Sequence, residues 1–278
     1  MKKYIIFLAS FLMAFYSSSQ TYRDFVEKSA SAVEKKDYEA AEIALKEALR
    51  KEPANPGNAM LLTNLGTIQR YLKKYDQALI SYNAVLEKYP DNIALLQSRA
   101  NLFCEMGRWS EALLDYNRII AVDDKNYEAH NRRALIHLQN NRLLEASADF
   151  KKLEQLDPTR IDGKMGEALI LKRQQKWEEA ETIYTDLVYR NRNNADIYAS
   201  RSECYINMKK LGRAQQDIEK ALELHFNDPY IYVLRAQLRI KQFDNAAAIA
   251  DFQKAKEMGF DATVINGYIN MLEKPKKK

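Results

Sequence analysis

Apolar and small residues recur along this chain at helical spacing, broken by short polar turns. In one stretch Tyr75, Ala78 and Tyr82 stand three and four residues apart, on one face of a helix, and Pro90 closes the segment. The same phrase returns: Ala41, Ala78, Ala112, Ala146, Ala180, Ala214 and Ala248 are separated by 37 residues once and by 34 residues five times. A second small residue precedes each, at Ser29, Gly66, Ala100, Ala134, Ala168, Ser202 and Ala236. A period of this length marks a tandem array in which each unit is two helices joined by a short turn. The two small residues predict the point where antiparallel helices cross, since axes about 8–10 Å apart leave no room there for a large side chain.

Bulky residues flank the predicted crossing. Tyr38, Tyr75, Trp109, Leu143, Trp177 and Leu211 open the second helix, and Leu45, Tyr82, Tyr116, Phe150, Tyr184, Ile218 and Phe252 follow further along it. Both sets are expected in the core. Pro53, Pro90 and Pro158 end the second helix in three units, because proline lacks the amide donor and clashes with the preceding turn.

Small residue, turn, aromatic, alanine, aromatic and proline at a 34-residue pitch resemble the tetratricopeptide repeat family. Asn64-Leu65-Gly66 through Tyr75, Ala78, Tyr82 and Pro90 is the best single match. The departures are Asp124 and Arg192 at proline positions, Asn245 at an aromatic one, and Pro56-Gly57 within a three-residue insertion. The resemblance implies an all-α fold, an α-solenoid wound as a right-handed superhelix. Its helix-turn-helix repeats would be 22–55, 59–92, 93–126, 127–160, 161–194, 195–228 and 229–262, with a capping helix over 263–273 and a basic tail, 274–278. In the capping helix Val264, Ile265, Tyr268, Ile269 and Leu272 would cover the open end of the array.

The ends of the chain change the picture of charge and location. Lys2 and Lys3, an apolar stretch from Tyr4 to Tyr16 and Ser17-Ser18-Ser19-Gln20 read as a signal peptide over 1–19. The stretch is short for a membrane span. The expectation is a periplasmic protein with no stable membrane insertion after cleavage; secretion and an uncleaved anchor are the alternatives. The net charge of +5 is misleading, because the lysines of the two ends account for it and leave 37 basic residues against 38 acidic. A neutral body gives no argument for nucleic-acid binding.

Candidate chemistry is sparse. His130 and His137 share a helix face that elsewhere carries core residues, and His225 has no companion in the sequence. There is no Gly-rich phosphate loop, nucleophile elbow or paired-cysteine motif. The chain therefore reads as non-catalytic, without cofactor or metal. A repeat accessory to an enzyme is disfavoured, since almost nothing lies outside the repeats. Cys104 and Cys204, three repeats apart, are expected as free thiols. Glu42 with Lys46 and Glu47 with Lys51 read as solubilising surface pairs.

Two slots covary within the chain. Arg99, Arg133, Arg201 and Arg235 hold one position of the first helix, and Asp115, Asp149, Asp217 and Asp251 one of the second; units with Lys28, Leu65 and Glu167 in the first slot carry Ala44, Ser81 and Ile183 in the other. An ion pair inside each of four units is predicted.

The family resemblance implies that first helices line a binding face for a protein or peptide partner. That assigns a groove to Thr63, Thr67, Arg70, Gln97, Asn101, Asn131 and Arg132, with a more mixed surface from Met165 to Gln237. Thr63 and Gln97 stand where chaperone-tail-binding members of the family carry lysines, which disfavours a co-chaperone role. The expected function is an interaction scaffold in the cell envelope, monomeric or weakly oligomeric. An assembly factor contacting membrane-protein segments is the alternative.

Overall fold

The computed structural model describes residues 21–224 and 227–273. The signal-peptide reading, His225 and the basic tail fall outside the described residues. Fifteen helices and no strand occur among those residues. They run as helix pairs: α1 (Tyr22–Glu34) with α2 (Tyr38–Lys51), α3 (Asn58–Tyr71) with α4 (Tyr75–Leu86), α5 (Ile93–Glu105) with α6 (Trp109–Val122), and α7 (Tyr127–Gln139) with α8 (Leu143–Leu156). Then come α9 (Asp162–Arg173) with α10 (Trp177–Arg190), α11 (Ala195–Asn207) with α12 (Leu211–Glu223), α13 (Tyr230–Lys241) with α14 (Asn245–Glu257), and finally α15 (Ala262–Glu273). The chain forms two compact units, one ending at Ala129 and carrying α1–α6, the other beginning at His130 and carrying α8–α15.

The small residues lie where the helices cross. All seven alanines of the second helices are fully buried. A β-carbon placed on Gly66 would stand 2.5 Å from the Tyr82 ring, so the aromatic occupies the space the glycine leaves. One turn beyond each alanine, Leu45, Tyr82, Tyr116, Phe150, Tyr184, Ile218 and Phe252 are at most 2% exposed and fill the core. The residues that open the second helices depart from expectation: Tyr38, Tyr75, Trp109, Leu143, Trp177 and Leu211 are only half-buried. They occupy the first helical position, so they seal the rim of the pair and not its centre.

The turn within each pair has a feature the sequence pattern did not announce. Lys36, Lys73, Gly107, Asn141, Gln175, Lys209 and Phe243 all have φ between 57° and 70°. Each ends its helix with a left-handed residue, after which the next amide donates back to a carbonyl five residues earlier, as from Asp37 to Ala32 (2.9 Å) and from Lys74 to Gln69 (2.8 Å). Glycine serves only once.

The four predicted ion pairs are present. Arg99 grips Asp115 through Nε and Nη2 at 2.9 and 2.6 Å, Arg133 grips Asp149 at 2.8 and 2.7 Å, Arg201 grips Asp217 at 2.7 and 2.8 Å, and Arg235 grips Asp251 at 3.0 and 2.6 Å. The four aspartates are buried. Two of the arginines also reach back sixteen residues to the preceding pair: Arg99 to Asn83 (2.6 Å) and Arg201 to Thr185 (3.3 Å). The guanidinium fork, with five fixed donors, can serve both partners at once.

Two surface readings need correction. Glu42 is only 3% exposed; it accepts from Lys46 and Lys74, each at 2.6 Å, and from Gln69 at 3.3 Å, and Gln69 accepts from Ser81 at 2.8 Å. This buried network ties α2 to the second pair, which has no arginine-aspartate clamp. Glu47 pairs with Arg50 (2.6 Å) and not with Lys51.

Helix α15 packs on α14 through the fully buried Ile265 and a stack of Tyr268 on Phe252, centroids 4.9 Å apart. Ile269 and Leu272 join that cluster, whereas Val264, expected inside, is 44% exposed.

Candidate functional site

In the first unit α3 and α5 carry five of the seven residues assigned to a groove. Thr63 and Thr67 lie one turn apart on α3. Each hydroxyl donates to a carbonyl of its own helix, Ala59 at 2.9 Å and Thr63 at 3.0 Å, and Thr67 Oγ1 also meets Tyr82 Oη at 3.2 Å. Arg70 reaches across to α5 and donates to Glu105 through Nε at 2.9 Å. That hydrogen bond holds the guanidinium above its ordinary pKa. Asn101 accepts at Oδ1 from Tyr116 Oη (2.9 Å) and from Gln97 Nε2 (3.4 Å). With its carbonyl so occupied, the Asn101 amide has donors to present to a ligand. Four of these five polar side chains are thus held by a partner on another residue's side chain, and all five are half-buried.

Sequence reasoning missed the apolar part of the same face. Between α1 and α3 lies a cleft of about 350 Å³, walled by Val26, Ala30 and Val33 on α1 and by Met60, Thr67 and Tyr71 on α3. The signal was available, since Val26, Ala30 and Val33 follow a four- and three-residue spacing, but an apolar stripe of that kind reads as core. Here no described residue covers it: Met60 is 64%, Tyr71 65% and Val33 41% exposed. Tyr38 stacks flat on Tyr71 (centroids 5.1 Å apart, 8° between planes) and holds that ring upright as one lip of the cleft.

The remaining two candidates, Asn131 and Arg132, lie on α7 in the second unit; Asn131 is half-buried and Arg132 exposed. Lys172 and Glu203, on α9 and α11, form an ion pair at 2.5 Å, with the ammonium 5.8 Å from the centre of the Tyr184 ring. His130 and His137 are both buried, and His130 Nδ1 lies 2.7 Å from Asp149 Oδ1, so this histidine braces the ion pair of Arg133. Neither Cys104 nor Cys204 forms a disulfide. Cys204 is fully buried, and burial pushes its thiol up to about 12, which removes it from nucleophilic chemistry near neutrality. No group of three or more His, Cys, Asp or Glu able to hold a metal occurs among the described residues, and no helix there is long and apolar enough to cross a membrane.

Models of the tetratricopeptide repeat match residues 28–93, 98–161 and 195–228. The chain is 36% identical to a tetratricopeptide repeat protein from Parabacteroides merdae, over 91% of this chain and 99% of that one, with a TM-score of 0.81. This chain belongs to the tetratricopeptide repeat family. Its fold is also that of PilW, a type IV pilus biogenesis factor (16% identical, 80% of this chain and 100% of that one, TM-score 0.62), and of PilF from Pseudomonas aeruginosa (16%, 77% and 97%, TM-score 0.59). No curated protein sequence matches significantly. As a tetratricopeptide protein the chain is a protein–protein interaction scaffold.

Proposed function

We propose that this protein is an adaptor that binds an extended peptide or a partner helix along the first-helix face of its first unit. An apolar side chain of the ligand enters the cleft between α1 and α3, and polar groups of the ligand meet the Asn101 amide. The observation that carries this reading is the uncovered cleft, with three apolar lips exposed to solvent beside a row of side chains already fixed in place. Fixed side chains lower the ordering cost of association.

The decisive experiment is selection of peptides from a displayed library on the full chain, followed by titration against Ala30→Trp. Ala30 is exposed on the wall of the cleft, so an indole there fills the cavity without disturbing the core. Loss of at least tenfold in affinity with unchanged helicity is expected; equal binding by the plugged variant would overturn the reading. The leader pattern in residues 1–19 supports action in the cell envelope. Fractionation with amino-terminal sequencing tests it: a periplasmic chain beginning near Gln20 is expected, and a cytosolic chain retaining Met1 refutes it.

A further inference from the structure

One turn of the second unit departs from the pattern of the others. The left-handed residue between paired helices is Lys36, Lys73, Gly107, Asn141, Gln175 or Lys209 in six pairs, polar or without a side chain, and Phe243 in the seventh. Phe243 holds φ at 65° with 89% of its surface exposed. A bulky side chain is strained in that region, and so little burial does not offset the strain.

The charge pattern departs at the neighbouring turn. In three pairs the cation just before the second helix is answered by a glutamate three residues on: Arg108 by Glu111 at 2.8 Å, Arg142 by Glu145 at 2.8 Å and Lys176 by Glu179 at 3.7 Å. In the next pair the cation is Lys210, and the answering slot holds Arg213. Lys209, Lys210, Arg213 and Lys241 are exposed, and none has an ion-pair partner among the described residues. The Arg213 guanidinium lies 5.9 Å from the centre of the Tyr205 ring, which holds it at the turn. Gln242 Nε2 donates to Gln215 Oε1 at 3.4 Å and joins the turn between α13 and α14 to α12. The carboxylate at these two turns, Asp244, is occupied in accepting the Ala247 amide at 3.0 Å. Two adjacent turns thus place four cations beside a protruding aromatic ring.

We propose that this corner of the second unit docks on the surface of an anionic phospholipid membrane, with the Phe243 ring entering at headgroup level and the four cations meeting lipid phosphates. A protein partner would need a cavity shaped to the ring. A bilayer interface accommodates an aromatic side chain without one and attracts basic residues. Attachment is peripheral, since no helix among the described residues is long and apolar enough to cross a membrane. Each cation held near such a surface strengthens binding by about fivefold.

Flotation of the full chain with vesicles tests this, using equimolar phosphatidylcholine and phosphatidylglycerol beside phosphatidylcholine alone. Binding to the anionic vesicles only is expected. Raising salt from about 0.1 to about 1 M, which shortens the Debye length from about 10 to about 3 Å, should release most of it. Arg213→Glu restores the arrangement of the other three pairs, removing one cation and giving Lys210 a partner, and should weaken binding at least tenfold. Phe243→Gly, which supplies the residue the backbone favours there, should weaken it at least fivefold; Lys36→Gln, at the same slot in the first unit, should leave it unchanged. The effects of Arg213→Glu and Phe243→Gly should persist when Lys274, Lys276, Lys277 and Lys278 are all replaced by Gln, which sets the basic tail aside. Phe243→Trp reads the depth: its emission should shift to the blue on the anionic vesicles and be quenched by brominated lipid, beyond any change from Trp109 and Trp177 in the native chain. A chain that ignores the anionic vesicles overturns the proposal, above all if a photocrosslinker at position 243 captures an acidic protein instead. Binding that Arg213→Glu and Phe243→Gly leave unchanged overturns it equally, as does an indole at position 243 that brominated lipid fails to quench.

Discussion

Of the four arginine-aspartate clamps, the pair of Arg201 and Asp217 allows the cleanest thermodynamic test. Asp149 is shared with His130, and Asp251 is shared with Arg239 at 2.7 Å, so truncation there breaks more than one interaction. Asp217 has the two bonds from Arg201 at 2.7 and 2.8 Å, and the side chains are 13% and 7% exposed. Removing one partner of a buried pair leaves an uncompensated charge and costs about 3–5 kcal/mol, whereas replacing both by apolar groups is often close to neutral. The chain itself shows that both slots accept apolar residues, with Leu65 in the arginine slot of one unit and Ala44 in the aspartate slot of another.

Asp217→Ala and Arg201→Leu should therefore each destabilise by about 3 kcal/mol or more, and the double variant by less than their sum, giving a coupling of at least ~2 kcal/mol. Repeat arrays open locally and need not unfold in one step, so the primary reading is amide hydrogen exchange in α11 and α12, with urea unfolding as the secondary one. The margin for independent sites is about 0.3–0.5 kcal/mol; a coupling within that margin would show that the pair is a solvated contact and refute the reasoning.

Three further outcomes follow from the geometry. Alanine is preferred to glycine inside a helix by about 1 kcal/mol, yet a β-carbon on Gly166 would stand 2.2 Å from the Phe150 ring, so Gly166→Ala should cost about 1–3 kcal/mol; a gain in melting temperature would mean that the ring moves aside freely. Burial alone would raise the Glu42 carboxyl, but its hydrogen bonds from Lys46, Lys74 and Gln69 prevail and hold it down at about 2, against 4.5 in an open chain. A depressed carboxylate stabilises the fold fully above the open-chain value, and that contribution, up to about 3 kcal/mol, is lost as pH falls from about 4.5 through about 2; native and Glu42→Gln acid-unfolding curves that run parallel would sink this. Phe243 holds φ at 65° while 89% exposed, so Phe243→Gly should raise stability by about 1 kcal/mol in thermal unfolding, and a loss would mean that the ring is held by a contact.

The period of the sequence made the helix pairs and their crossing points legible because each rests on side-chain volume, a property of the residue alone. The clamps were legible for a related reason: Arg and Asp appear and vanish together, and the crossing residues fix which slots face each other. Exposure was not legible. Tyr82 and Trp109 are both aromatics in second helices, but one is fully buried and the other half-buried, because the first helical position projects at the end of the pair. Glu42 and Lys46 stand four residues apart like any surface pair. Only the fold reveals that Lys74 and Gln69 arrive from the next pair to enclose the carboxylate.

The same distinction explains why the polar groove was drawn from the sequence and the apolar cleft was not. Polar residues on a first helix announce themselves as outward, whereas an apolar stripe is ambiguous until a neighbour is seen to cover it or to leave it open. A second cleft, of about 200 Å³, lies between α8 and α9, and Lys151 and Glu167 are among its lining residues. Glu167 holds the arginine slot in the pair whose aspartate slot is Ile183, and Lys151 stands sixteen residues before it, where Asn83 and Thr185 receive the arginines of other pairs. Without a guanidinium to span both neighbours, the space it would fill stays open beside Leu143 and Leu144. Where Arg99 and Arg201 reach back to Asn83 and Thr185, the clamp also ties its pair to the preceding one. No such clamp occurs in the first two pairs, where Lys28 and Leu65 hold the arginine slot, and an apolar cleft of about 350 Å³ lies between their first helices.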